Sequence, residues 1–218
     1  MLWVRWERIA LPKSLGGWGL KNDFLLSKAL AGKVTWRLLT TSSLWTRVLH
    51  HKYIAPLSIL DWIRTVDKKV TRVSIIWKAI LQAFEVIGKG MAWRIGNGHK
   101  FLLGRDPWVG SGRAHIQSGP LCNALEQRGL NSLNYIEDPI TTSIWNQGWK
   151  DGMALGLQGE LMREWDLYTQ ALKLAHIQLV LREDELIWDL HLSRIYTPKA
   201  GYIQLSMDQV SGEEEWWW

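Results

Sequence analysis

Sixteen tryptophans stand in this chain of 218 residues, and so many large aromatic side chains have to be buried or paired for the chain to stay in solution. Most fall in apolar or amphipathic stretches, which makes core packing their first duty. With 47% apolar residues, the chain is long enough for one or two domains with a sizeable core. No run approaches the roughly 18 apolar residues of a membrane span. The opening MLWVRWERIA has charges where a signal peptide needs an apolar stretch. These features predict a nuclear or cytoplasmic protein that is neither secreted nor membrane-embedded. Cys122 is the single cysteine, which excludes an internal disulfide and any zinc site built on cysteine pairs.

Charge is distributed unevenly. Residues 1–105 hold 18 Lys and Arg against five Asp and Glu, whereas residues 106–218 hold eight against 16. The basic part suits a polyanion partner, because each phosphate neutralised by Lys or Arg releases condensed counterions. It suits equally a surface that merely keeps a domain soluble. Trp-Arg neighbours such as Trp3-Val-Arg5-Trp6, Trp36-Arg37 and Trp93-Arg94 have the chemistry to stack on single-stranded bases, although core packing competes for each ring.

The stretch RIALPKSLGGWGLKN, Arg8 to Asn22, raises the question of a phosphate cradle. Nucleotide-binding glycine loops follow an apolar strand and carry Gly-Lys-Ser/Thr or Gly-x-Gly-x-x-Gly, and neither pattern occurs here. Gly16, Gly17 and Gly19 fit a turn that needs φ > 0. Asn22 or Asp23 can cap a helix with Leu26, Leu30, Val34 and Leu38 as its apolar stripe, and Lys33 and Arg37 on another face. A cap at Ser42 or Ser43 opens a second helix through Trp45, Val48, Leu49 and Lys52.

A third helix is predicted over 75–87, stopped by Gly88 in a left-handed conformation. Asn97-Gly98 is a favoured hairpin centre, pairing Trp93–Ile95 with His99–Leu103. Between Asp106 and Gly156 the pattern breaks into short elements. Further on, GELMREWDLYTQALKLA places Leu161, Trp165 and Leu172 on one helical stripe, IQLVL and ELIWDLHL suggest strands, and Pro198 can begin a last helix. The expected fold is α+β, with a mainly helical N-terminal part, a β-hairpin and mixed elements after it.

Catalytic constellations do not emerge. A polymerase or nuclease needs clustered carboxylates for two metal ions, and the sequence has no Asp-Asp pair. Glu183-Asp184-Glu185 fits a solvated loop. The six histidines lack metal-ligand spacing, Cys122 with His115 has no evident orienting group, and no serine sits in a nucleophile-elbow context. No metal, cofactor or small-molecule substrate is expected.

An ordered set of residues nevertheless resembles a known family. Trp6, then Pro12, Lys13, Gly16, Gly17 and Gly19, then Trp36-Arg37-Leu38, Leu44-Trp45 and Lys52-Tyr53 is similar to the segment after the reverse-transcriptase core of plant LINE-type, non-LTR retrotransposon proteins. GMAWRIGNGHKFLLGRDPWV continues the likeness, and DELIWDLHLSRIYTPKAGY resembles the opening of the zinc-binding domain that follows in that family. The resemblance implies a connector over 1–53, a helix and hairpin over 54–110, a mixed linker and helix over 111–182, and the start of a zinc-binding domain over 183–218. It further implies that the catalytic palm lies upstream of Met1 and the Cys/His ligands beyond Trp218, so that this chain is a non-catalytic, truncated fragment. The expected partner is RNA or an RNA–DNA duplex, held by Arg5, Lys13, Lys33, Arg37, Lys52 and Arg94 as backbone-positioning cations. A degenerate relic without selected function and a protein-interaction module are the alternatives.

Overall fold

The computed structural model describes residues 6–65, 73–140, 142 and 148–214, with the side chains of residues 7 and 210–214 outside the description. In chain order the elements are α1 (Trp6–Ile9), a 3-10 turn at Lys13–Leu15, α2 (Asp23–Thr40), α3 (Leu44–Leu49) running into a π-turn at His50–Ile54, α4 (Ile59–Thr65) and α5 (Ile75–Ile87). After a 3-10 turn at Gly88–Gly90 come β1 (Met91–Arg94), α6 (Gly119–Glu126), a 3-10 turn at Leu133–Ile136, α7 (Gly159–Leu174), β2 (Glu185–Trp188) and α8 (Pro198–Glu214). Helices with a small antiparallel sheet make this an α+β fold. The chain forms two compact units: residues 1–90 with 190–218, and residues 91–189. The region 183–218 is thus divided, its strand belonging to the second unit and its helix to the first.

Local signals account for the helix starts. The Asn22 side chain accepts from the backbone N–H of Phe24 and Leu25, Ser43 and Thr46 form a reciprocal capping box, and Ser74 accepts from Trp77 N–H. The stop after α5 differs from expectation. Gly88 is right-handed, at φ −61°, because the chain tightens there into the 3-10 turn rather than reversing through a left-handed glycine.

In the first unit α2 packs against α5 and α8. Its buried face is Leu25, Ala29, Gly32 and Trp36, with Thr35 and Leu38, while Leu30 and Val34 of the expected stripe are exposed. Small residues decide this phase. The fully buried Tyr196 fills the notch over Gly32 and Gly201, where an added methyl on either glycine would collide with its hydroxyl. That hydroxyl donates to Ala29 O at 2.9 Å. Burial pushes the phenol above its ordinary value, so it remains a donor. Thr35 ties α2 to α5 by donating to Ile80 O at 3.2 Å. Beside this junction Trp62 meets Trp77 and Phe84, each at 5.3 Å between centroids.

The second unit corrects the hairpin. β1 pairs antiparallel with β2, from Met91 opposite Trp188 to Arg94 opposite Glu185, and His99–Leu103 is not its partner. On its other edge Trp93 donates to Pro107 O and accepts from Val109 N–H. The physical reason lies in the Gly96-Asn97-Gly98 loop. The backbone N–H groups of Gly96, Gly98 and Lys100 converge on the Asp184 carboxylate at 2.7, 2.9 and 2.7 Å. Asp184, expected in a solvated loop, is 5% exposed. A strand over His99–Leu103 would have directed those donors elsewhere. IQLVL is likewise no strand and holds the loop through Val180 N–H to Gly96 O. The core gathers Phe101, Trp108, Trp165 and Tyr168, with Trp165 stacked on Tyr168 at 5.6 Å.

Replacing Asp184 with Ala should leave three converging N–H groups without their acceptor and cost about 3 kcal/mol or more in urea unfolding. For the first unit, Gly32→Ala should cost about 1–3 kcal/mol through overpacking, and a smaller increment in a Tyr196→Phe background, where the colliding hydroxyl is gone. Equal costs in both backgrounds would contradict the notch geometry.

Candidate nucleic-acid interface

The glycine loop before α2 is a closed turn. Gly16 N–H donates to Lys13 O, Gly17 N–H to Pro12 O, Trp18 N–H to Ile9 O and Gly19 N–H to Leu11 O, all between 3.0 and 3.2 Å. With those donors spent on the chain itself, the loop has no nest for a phosphate. Left-handed φ values of 80° at Gly16 and 77° at Gly19 make the reversal. Gly17 lies so close to the Leu11 backbone that no Cβ fits.

Cations predicted from the sequence stand on successive elements of the first unit. Lys13 is exposed on the 3-10 turn, its stem running past Gly19. Lys33 and Arg37 lie one turn apart on α2, but their surroundings differ. Lys33 Nζ donates to Tyr196 O at 3.2 Å, so it serves the α2–α8 junction. Arg37 is exposed and sits 5.9 Å from the Trp45 ring centroid, a cation–π distance that leaves its fork at the surface. Lys52, on the π-turn, reaches over Tyr53 at 5.1 Å. Tyr53 in turn stacks on Trp77 at 4.4 Å and donates to Ser74 Oγ at 3.0 Å. That hydroxyl bond and the Lys52 ammonium lower the Tyr53 phenol from its ordinary value.

Arg94 belongs to the second unit, where it pairs with Glu185 across the β-ladder at 3.0 Å. Arg5 lies outside the described residues. Sequence reasoning missed a groove of about 420 Å³ at the C-terminal end of α2, lined by Thr40, Thr41, Thr46, Arg47, His50 and Ile59 among others. The hydroxyls of Thr40, Thr41 and Thr46 donate to backbone carbonyls of Trp36, Arg37 and Ser43, which leaves Arg47 as the charged side chain of a lining that also includes His50. Their three-residue spacing in TRVLHH was the available signal.

The acidic cluster Glu183-Asp184-Glu185 is engaged in structural pairing. Glu183 pairs with Lys100, Asp184 with backbone N–H groups and Glu185 with Arg94. Among the described residues no group of three or more His, Cys, Asp or Glu is placed to hold a metal. His115 faces Ser111 Oγ at 3.3 Å and the Trp108 ring, and burial lowers its imidazole below the ordinary value. Burial raises the Cys122 thiol. No described helix is long and apolar enough to cross a membrane.

Two proteins of Arabidopsis thaliana are similar to this chain. One, named "Putative ribonuclease H protein At1g65750", is 33% identical over 216 residues, which are 95% of this chain and 31% of that protein. The other, named "Uncharacterized mitochondrial protein AtMg00310", is 26% identical over 109 residues, 49% of this chain and 68% of that one. The chain therefore spans about a third of the length of the first relative. No family model matches the chain, and no solved structure matches it.

A raised thiol reacts slowly at neutral pH because the thiolate is the nucleophile. Alkylation of Cys122 in the folded protein should therefore be slower at pH 8 than in the urea-unfolded chain, and should still be rising above pH 9. A folded-state rate exceeding the unfolded one would mark an activated cysteine instead.

Proposed function

We propose that the chain is a non-catalytic part of a retroelement reverse-transcriptase polyprotein, from the region after the polymerase core, and that its first unit holds RNA or an RNA–DNA duplex by the backbone. The observation that carries this is the charge of the units. Residues 1–90 with 190–218 contain 17 Lys and Arg against nine Asp and Glu, a net +8, whereas residues 91–189 contain nine against 12, a net −3. Arg37 and Lys52 are exposed on the basic unit, where phosphate contacts need no pre-formed pocket. The ribonuclease H name of the first relative also favours a nucleic-acid partner. The absence of an Asp-Asp pair in the sequence and the internal pairing of Glu183, Asp184 and Glu185 support a binding role over hydrolysis.

Full-length protein should bind labelled RNA and RNA–DNA hybrid in fluorescence anisotropy, with log K falling against log[salt] by roughly 0.7 per phosphate neutralised on a single strand. Arg37→Glu with Lys52→Glu should weaken binding to unrelated sequences about equally and flatten that slope. Lys33 is a poorer choice for the test, since its loss also strips the Tyr196 carbonyl of a donor. A flat salt dependence of the wild type would remove the electrostatic reading and leave a relic or a protein-binding module.

A further inference from the structure

Around the glycine turn the first unit brings aromatic rings to its surface. Eight of the eleven described tryptophans are buried, yet Trp18 is 72% exposed, and Phe24 close by in sequence is 65% exposed. Neither is held out by a loose loop. The four backbone hydrogen bonds of Gly16, Gly17, Trp18 and Gly19 close the turn. The Tyr202 hydroxyl accepts from Asn22 N–H at 3.0 Å and donates to Ala10 O at 3.2 Å, pinning the segment at both ends. Asn22 then caps α2 directly before Phe24.

Cations are interleaved with the exposed rings. Lys13 and Lys21 flank Trp18 in sequence, and Lys28 Nζ stands 4.7 Å from the Phe24 ring centroid. Asp23 is the single acid between Lys13 and Lys28, and it occupies the first turn of α2, where its charge meets the helix dipole.

We propose that Trp18 and Phe24, with Lys13, Lys21 and Lys28, form a stacking platform for single-stranded nucleic acid. Unpaired bases lie on the ring faces, which accept any base, while the ammonium groups take the neighbouring phosphates. Rigid display means that little ordering cost falls due on binding. The proposal rests on the nucleic-acid reading above and narrows it: a duplex keeps its base faces stacked inside and offers this platform only its backbone. Pairing of the patch with the same patch of a second copy is disfavoured, since the unit that carries it is net positive.

The test uses the full chain, a fluorescein-labelled oligouridine of about 12 nucleotides, and an RNA–DNA hybrid of similar length. Trp18→Ala and Phe24→Ala should each weaken oligouridine binding about five- to hundredfold, leave the salt slope unchanged, and alter hybrid binding by less than about twofold. Trp18→Phe should restore most of the affinity. Thermal melting should be nearly the same for all variants, because Trp18 makes its exposed ring available rather than filling a core. If the wild type binds oligouridine with a steep salt dependence but Trp18→Ala binds equally well, the platform is wrong and the backbone-binding function stands. Absence of binding to either nucleic acid overturns both. Loss of self-association or of acidic-peptide binding in Trp18→Ala, with oligouridine affinity intact, would reassign the patch to a protein partner and overturn the proposal.

Discussion

Tyr196 is the residue on which the first unit depends. Its ring occupies space that exists only because positions 32 and 201 are glycine, and its hydroxyl satisfies a helical carbonyl that the close approach would otherwise desolvate. One side chain thus sets the separation of α2 and α8 and selects which face of α2 is buried. The exposed positions of Leu30, Val34 and Arg37 follow from that choice, because rotating α2 to bury the leucine stripe would put bulky side chains where the notch needs none. Lys33 reinforces the junction through the Tyr196 carbonyl.

Two glycine-rich loops use their backbone N–H groups differently. PKSLGGWG is the turn its sequence suggests, and its N–H groups bond carbonyls of the same segment. Gly96-Asn97-Gly98 has the look of a hairpin turn, but its N–H groups and that of Lys100 surround a carboxylate. The anion is supplied by the chain itself, at Asp184, some 90 residues away. Charge-assisted hydrogen bonds to a buried carboxylate are stronger than those of a simple turn, and they fix β2 immediately after Asp184 as the partner of β1.

The surface of the basic unit reflects a division of labour among residues of one type. Lys33 is occupied with structure, Arg37 and Lys52 lie beside aromatic rings at the surface, and Arg94 balances Glu185 in the other unit. Tryptophan divides similarly. Trp36, Trp62 and Trp77 build the interior of the first unit, whereas Trp18 is displayed.

Much of this was legible in the sequence because the signals are local. The caps at Asn22 and Ser43, the span of α5, the stripe of Trp165 and Leu172 and the start of α8 at Pro198 depend on side chains within a turn or two of the backbone they satisfy. Composition also foretold that tryptophan would make the cores and that charge would be uneven. Tertiary structure decided what depends on distant partners. Helical spacing shows that α2 is amphipathic, but only the arrival of Tyr196 shows which face is covered. Asn-Gly predicts a reversal, but only Asp184 shows what the reversal grips. A lysine reads as a surface charge in any sequence, and whether it points to solvent or to a carbonyl more than 160 residues away, as Lys33 does, is settled by packing alone.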